Sequence, residues 1–131
     1  MEVWEQSDAV SNVIRRLSNA VPAPSMVQAL VPKGWTPKSG VLITVEDDGT
    51  PIHSRAWTRQ QVRVTVRARD MPTAGRVMRK LDAFLITPGV HNPGLPIKAA
   101  GGIIGGSDSR LSCFFSSSVY GISLPRKVTR L

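Results

Sequence analysis

The residues of this chain that could perform chemistry are few, and they are far apart in the sequence. His53 and His91 are its only histidines, and Cys113 is its only cysteine. Neither histidine belongs to a metal-binding or hydrolase motif such as His-Glu-x-x-His or Gly-x-Ser-x-Gly. Cys113 lies in an alternating apolar stretch, which predicts a small buried side chain and not a nucleophile. We therefore expect a protein that is not an enzyme, with no catalytic residue and no cofactor.

The densest group of carboxylates is the run Glu46-Asp47-Asp48, which directly precedes Gly49. Adjacent carboxylates raise the question of a divalent metal, but such a site needs further ligands that converge from elsewhere. Asp-Asp-Gly is also typical of a solvated hairpin turn. The run therefore predicts a tight turn, and we expect no metal site in the chain.

Four glycines form two pairs around two isoleucines: Gly101, Gly102, Gly105 and Gly106. Phosphate-binding loops are also rich in glycine, but this segment lacks their Gly-Lys-Ser/Thr ending and follows no strand-to-helix junction. Glycine also permits flexibility and a close approach of two backbones. We therefore expect these four glycines to lie at a contact between subunits.

Positive charge is the strongest feature of the composition. The net charge is +8, and residues 51–131 hold thirteen basic and three acidic side chains. Most of this charge lies within residues 55–80, where Asp70 is the one acid. The members are Arg55, Arg59, Arg63, Arg67, Arg69, Arg76, Arg79 and Lys80. Such asymmetry predicts an acidic partner, either nucleic acid or an acidic protein surface.

Three explanations of the basic set remain open: phosphate binding, carboxylate binding at a subunit interface, and a solvated outer face. Twelve arginines against five lysines favour planar, bidentate pairing with carboxylates. No aromatic residue is interleaved with the arginines of residues 60–69, although single-strand binders need aromatics to stack bases. We therefore expect the seven arginines to contact neighbouring proteins.

Hydrophobic periodicity predicts two helices and at least three strands. The predicted helices cover 7–20 and 72–85, with capping residues at Asp8 and Asp70. The predicted strands cover 41–45, 60–69 and 111–119, with a further short strand within 26–31. In the second strand Val62, Val64 and Val66 alternate with arginine and threonine, which predicts one core face and one basic face.

The predicted fold is α+β, with a small antiparallel or mixed sheet of three to five strands covered by two helices. One domain is expected over residues 1–131, with a core at about 7–87 and 109–124. Residues 88–107 hold three prolines and six glycines, and Lys98 is their only Lys or Arg. Since this stretch is long for a connector, we expect an extended arm over about 88–108.

The order of a helix, the strand at 41–45, the strand at 62–69 and a helix from Pro72 resembles the tail terminator, or head-tail joining, proteins of siphophages. The resemblance covers residues 7–87 and includes Arg-Val-Thr-Val-Arg-Ala at 63–68, which runs into the second helix. It implies a homohexameric ring that caps the tail tube, stops its polymerisation and contacts the head-tail connector protein. Tail tube protein, connector protein and further copies of the chain are then the expected partners.

In such a ring DNA passes through the bore without sequence-specific binding, and a strongly basic lining would grip it. We therefore expect the arginines to lie outside the lumen, against protein. The resemblance implies location at the head-tail junction of the virion, after assembly in the bacterial cytoplasm. The acidic opening Met1–Glu5 and the lack of a long apolar run predict no signal peptide and no membrane partner. Two alternatives remain: another connector ring protein, such as an adaptor or stopper, and a nucleic-acid-binding α+β module.

Overall fold

A computed structural model describes residues 1–87 and 97–131 of the chain. These residues form two helices, α1 (Ala9–Ala20) and α2 (Met71–Ile86). Their strands are β1 (Glu2–Glu5), β2 (Val27–Gln28), β3 (Leu42–Asp47), β4 (Ile52–His53), β5 (Trp57–Ala68), β6 (Ile97–Ala99), β7 (Ile104–Asp108), β8 (Cys113–Pro125) and β9 (Lys127–Arg130). The predicted α+β class is confirmed.

Both helices begin at an aspartate that caps the first turn. The Asp8 carboxylate accepts a hydrogen bond from the Ser11 N–H at 3.0 Å, and Asp70 accepts one from the Thr73 N–H at 2.7 Å. These bonds satisfy backbone donors that have no partner within the helix. The bond from the Ser11 N–H lowers the pKa of Asp8, and bonds from the hydroxyl and the N–H of Thr73 lower the pKa of Asp70. Each predicted helix is therefore present, within two residues of its expected start.

The larger sheet has seven strands, and its centre is the antiparallel pair β5 and β8, in register from Trp57–Pro125 to Ala68–Phe114. β3 pairs antiparallel with the other side of β5, and β2 adds to β3 in parallel. β4 also pairs with β5, while β6 and β7 both pair with the outer side of β8. The expected three to five strands were too few because these short edge strands have little periodicity of their own.

One face of this sheet carries the core. Val62, Val64 and Val66 are fully buried, and they pack with Met78 and Leu85 of α2. α1 contributes its own apolar stripe to the same cluster, including Val13 and Leu17. Both helices thus cover one face, as two packed layers. The other face carries the odd-numbered residues of β5, and no described helix covers it.

The segment expected as an arm is different in the structure. Residues 88–96 lie outside the described part of the chain, while 97–108 hold β6 and β7, bonded to β8 of the same chain. Ala100 donates its N–H to Val119 O, and Ile104 is opposite Ser117, so that residues 101–103 face only Ser118. The described part is therefore an edge strand with a glycine bulge and not an arm.

The reversal predicted at Asp48-Gly49 is also different. Asp48 donates its N–H to Gln61 O, and Gln61 donates to Gly49 O, so the chain continues along β5 through a bulge. Gly49 has a φ of +105°, which an L side chain rarely adopts. The turn comes later, where the Ser54 N–H bonds Trp57 O at 2.9 Å. Asp48-Gly49 therefore forms a bulge and not a hairpin turn, because the backbone groups of Gln61 on β5 remain available to pair with it.

The two ends of the described chain form a separate ribbon. β1 and β9 pair antiparallel, and Trp4 is opposite Val128. Arg126 connects the ribbon to the larger sheet by donating from Nη1 to Trp4 O and from Nε to Ser54 O. Neither described helix is long and apolar enough to cross a membrane.

Candidate interaction surfaces

Three of the predicted site arginines lie in one row on the face of the sheet that the helices leave open. Arg59, Arg63 and Arg67 are spaced by four residues on β5, so their side chains leave the strand on the same side. All three are half-buried, because their aliphatic stems lie along the sheet. We call this row and the hydroxyl side chains that it contacts the arginine face.

Each of these guanidinium groups is held by a hydroxyl from a neighbouring strand. Arg59 Nη1 donates to Ser123 Oγ at 3.1 Å, and Arg63 Nη1 donates to Ser117 Oγ at the same distance. Arg67 Nη1 donates to Thr44 Oγ1 at 2.8 Å. A guanidinium has five N–H donors, so one bond of this kind orients the group and leaves most of its donors for a partner. The arginine face is thus ordered before any partner binds.

A shallow cavity of about 410 Å³ lies over the middle of the arginine face. Its lining includes three arginines, two carboxylates and two large apolar side chains: Arg63, Arg67, Arg110, Glu46, Asp108, Ile104 and Phe115. Asp48 approaches Arg63 at 3.9 Å, which is a weak and solvent-exposed ion pair. The cavity thus combines apolar and charged groups, with three arginines against two carboxylates in its lining.

The other predicted arginines lie elsewhere. Arg69 follows the end of β5 and is 4.0 Å from Asp70. Arg76 and Arg79 are exposed on α2, which covers the opposite face of the sheet. Arg55 lies in the turn before β5, with its guanidinium 5.9 Å from the ring centre of Trp4. The structure therefore divides the seven arginines among four places and assigns only three to one surface.

The four predicted glycines divide into two kinds. Gly101 and Gly102 lie in the exposed bulge, where an added Cβ would meet nothing within 4 Å. At Gly106 an added Cβ would lie 3.0 Å from the ring of Phe115 on β8, and at Gly105 it would overlap the end of Met71. Gly106 thus packs closely on Phe115 within the chain, while the methionine end at Gly105 is flexible and could move aside.

The remaining candidate groups show no reactive arrangement in the described residues. Cys113 is buried at 2% exposure, and burial together with the nearby Asp108 raises the pKa of its thiol. His53 is exposed on β4, and His91 lies outside the described residues. Asp47 Oδ1 accepts the N–H of Gly49, as in a turn. Within the described ranges, no three His, Cys, Asp or Glu side chains come close enough to hold a metal ion.

Two features of the surface have no counterpart in the sequence analysis. The first is an apolar pair on the terminal ribbon, where Trp4 is 51% exposed and Val128 is 55% exposed. Trp57 and Ile52 are also exposed, where β4 pairs with the start of β5. As directly opposite residues of an antiparallel pair, Trp4 and Val128 lie on the same face of the ribbon and together expose an apolar surface. A tryptophan at position 4 carries no such signal in the sequence alone.

The second feature is a cleft of about 650 Å³ at the end of the sheet where β5 ends and β8 begins. We call it the tryptophan cleft, and its main lining residues are Trp35, Lys38, Arg69, Arg110, Leu111 and Ser112. They come from three separate loops. Their separation in the sequence, from 35 to 112, hid this cluster from sequence analysis.

No family model matches this chain, and no curated protein is found to be similar to it.

Proposed function

We propose that this protein is a structural subunit that forms a ring with copies of itself and binds other proteins at the head-proximal end of a phage tail tube. In this role it ends polymerisation of the tube and joins the tail to the head connector. The order α1, β3, β5 and α2 supports the proposal, because it is the order on which the resemblance to tail terminators rests. The observation that carries it is the arginine face.

The arginine face supports protein contact for two reasons. Its guanidinium groups are already oriented by Thr44, Ser117 and Ser123, so less side-chain freedom is lost when a partner binds. Its cavity is lined by Ile104 and Phe115 as well as by arginine. A mixed apolar and arginine lining is typical of the central part of protein interfaces.

The exposed Trp4 and Val128 give independent support. Tryptophan and arginine are enriched among the residues that dominate binding energy between proteins. Here a residue of each type is present, because the guanidinium of Arg55 lies 5.9 Å from the ring centre of Trp4. A subunit with two such surfaces, on different parts of the molecule, can bind both a copy of itself and a different protein.

Native mass measurement tests the ring. The wild-type chain is expected to form a closed oligomer, with a hexamer as the expected size. Arg63→Gln and Arg67→Gln should weaken it, because each removes a guanidinium from the arginine face. Lys80→Gln is the matched control, because it removes one positive charge from exposed α2 and should leave the oligomer intact. A wild-type chain that stays monomeric at high concentration would overturn the proposal.

Mixing with purified tail tubes tests the terminator role. The oligomer is expected to bind one end of the tube and to limit tube length when it is present during polymerisation. Electron microscopy of the tubes, with and without the protein, measures both effects. A protein that leaves tube length unchanged and attaches only to DNA-filled heads would instead be an adaptor or a stopper.

A further inference from the structure

The tryptophan cleft is built by three loops at one end of the larger sheet. Residues 32–40 precede β3, Arg69 directly follows β5, and residues 109–112 connect β7 to β8. The pairing of Leu42 with Arg67 and of Asp108 with Cys113 brings these loops together. The cleft between them, at about 650 Å³, is within the usual size of small-molecule sites, roughly 300–1,000 Å³.

The charge of the cleft is one-sided. Lys38, Arg69 and Arg110 line it, and no carboxylate does so among the described residues. Two aspartates lie close to these cations in the chain but do not line the cleft. Asp70 caps α2 through the Thr73 N–H and reaches Arg69 at 4.0 Å, while Asp108 accepts the N–H groups of Arg110 and Leu111. The three cations therefore leave the cleft complementary to an anion.

Trp35 gives the cleft an aromatic wall. The indole is half-buried, and its backbone is fixed by a turn in which the Trp35 N–H bonds Pro32 O at 3.1 Å. Gly34 allows that turn with a φ of +81°. The next residues form a short 3-10 helix whose first turn is closed by reciprocal bonds between Thr36 and Ser39. Trp35 is thus held by its loop before a ligand binds, with Leu111 as a second apolar wall.

The opposite rim is held in an uncommon backbone conformation. Ser112 has a φ of +51°, and it is the one non-glycine residue with a positive φ in the described parts of the chain. The Asp108 carboxylate fixes this turn by accepting two N–H groups, and the turn directs Arg110 and Leu111 to the cleft. Uncommon backbone geometry of this kind clusters at ligand sites.

We propose that the tryptophan cleft binds a nucleotide unit, with the base against Trp35 and the phosphate held by Lys38, Arg69 and Arg110. A base offers a planar face to an aromatic side chain, and its phosphate accepts hydrogen bonds from arginine and lysine. An acidic peptide would satisfy the cations but would leave the apolar walls of Trp35 and Leu111 with less to contact. The nucleotide comes either from a single-stranded nucleic acid or from a free nucleotide.

This inference goes beyond the proposed ring and does not depend on it. Residues 60–69 contain arginines but no aromatic residue that could stack on a base, so the sequence of this strand argues against nucleic-acid binding. In the folded chain, however, Trp35 lines the same cleft as Arg69, which directly follows β5. Arg110 lines both the tryptophan cleft and the cavity over the arginine face, so the two sites are neighbours, while Trp35, Lys38 and Arg69 belong to the cleft alone.

Binding of a fluorescently labelled thymidine oligonucleotide, measured by anisotropy at rising salt, tests the proposal. The wild-type chain is expected to bind, with an affinity that falls as salt rises because phosphate contacts release counterions. Trp35→Leu should weaken binding about tenfold, the size of one lost stacking contact. Trp35→Phe should restore most of it, since a planar ring returns. Lys38→Gln, Arg69→Gln and Arg110→Gln should each weaken binding and reduce its salt dependence.

Lys80→Gln is the matched control, because it removes one exposed positive charge on α2, outside the cleft, and should leave the affinity unchanged. A second experiment adds a nucleoside triphosphate that competes with the labelled oligonucleotide. Competition at micromolar concentration assigns the site to free nucleotides, and its absence assigns it to single strands. The fluorescence of Trp35, in a chain that carries Trp4→Phe and Trp57→Phe, should be quenched by the ligand that binds.

Three outcomes would overturn the proposal: no binding by the folded wild-type chain, equal binding by Trp35→Leu, or binding of polyglutamate as tight as that of the oligonucleotide. The last would assign the cleft to an acidic protein. The oligomeric state of the same variants, measured by native mass spectrometry, distinguishes a failure of this proposal from a failure of the proposed ring. Loss of nucleotide binding with an intact oligomer concerns the cleft alone, and loss of the oligomer with intact nucleotide binding concerns the ring alone.

Discussion

Hydroxyl side chains decide what the arginines of β5 can do. Ser117, Ser123 and Thr44 each accept one guanidinium N–H, and Ser117 is also hydrogen-bonded to Thr65 at 3.0 Å. Without these acceptors the arginines would project into solvent and would lose more side-chain entropy on binding. The small polar residues of β8 are therefore part of the arginine face, although they carry no charge.

Cys113 is expected to be inert in the folded protein. Burial and the negative charge of Asp108 raise the pKa of its thiol, so less thiolate is present near neutral pH than in a free cysteine. A colorimetric thiol reagent should react slowly with the native chain and rapidly in denaturant. Fast reaction of the native chain would contradict the buried position. Since Cys113 is the single cysteine, the signal has one source.

Tyr120 is expected to keep its proton in the native protein at alkaline pH. Its hydroxyl donates to Asp82 Oδ1 at 2.6 Å, and burial together with this bond raises the pKa of the phenol. The unfolded chain loses this proton near pH 10. Stability should therefore be complete below about pH 10 and fall as the pH rises above it.

Ultraviolet absorbance of the phenolate measures this directly, because Tyr120 is the only tyrosine. It should rise together with the loss of circular dichroism, at unfolding. Phenolate formation in a chain that is still folded near pH 10 would contradict the prediction. Tyr120→Phe is the matched variant: it should lose the alkaline transition and cost about 1 kcal/mol at neutral pH.

Among the secondary-structure elements, the bulge between β6 and β7 determines the shape of one sheet edge. Residues 101–103 face one residue of β8, so the edge strand β6–β7 is interrupted between Ala100 and Ile104. A bulge twists an edge and blocks regular addition of a further strand. This edge is thus less suited to sheet extension than a plain strand would be.

Gly106 and Gly101 form a matched pair of substitutions for this edge. Gly106→Ala should destabilise the fold by about 1–2 kcal/mol, because the new methyl group would press on the ring of Phe115. Gly101→Ala meets nothing within 4 Å and should change stability by less than about 0.5 kcal/mol. Urea denaturation measures both. Equal effects would show that β7 does not pack on Phe115 as described, and a loss of oligomer with Gly101→Ala alone would place the bulge in an interface.

Stability at the scale of the whole molecule is expected to be uneven. β5 and β8 pair over twelve residues at the centre of the sheet, and both contribute side chains to the buried core beneath the helices. The ribbon of β1 and β9 has two strands and exposed apolar side chains, and such a ribbon has little stability of its own. Hydrogen exchange should therefore be slowest at Val62–Val66 and fastest at Glu2–Glu5 and Lys127–Arg130 in the monomer.

Exchange followed by mass spectrometry across the oligomer adds a second comparison. If the ribbon binds a neighbour, its amides should become slow in the ring while those of exposed α2 residues, such as Lys80, should not change. A ribbon that exchanges equally fast in both states would exclude it from the ring interface. The central strands serve as the internal reference, since their protection comes from the fold.

Local patterns in the sequence were enough to place the main elements. The alternation of Val62, Val64 and Val66 with arginine specifies a strand with a core face and a basic face, and the helical stripes follow Asp8 and Asp70. These features depend on periods of two and 3.6 residues and on capping, which are properties of neighbouring residues. The α+β class follows from them.

The bulges and the edge strands required the tertiary structure. Asp48-Gly49 has the residues of a hairpin turn, but Gln61 supplied two further backbone bonds, so the chain continued beyond it. Glycine-rich 101–106 has the composition of a loop, but the open side of β8 had unpaired backbone groups that it could bond. In both cases a distant strand decided the conformation.

The sequence by itself determined the two helices, the central strands, the basic character of one sheet face and the absence of the usual catalytic motifs, because each depends on residues close in the chain. Only the tertiary structure decided which arginines share a surface and that Trp35 lies beside Arg69 and Arg110. Surfaces are built from residues far apart in sequence, and the register between strands, which places them together, is set by packing of the whole core.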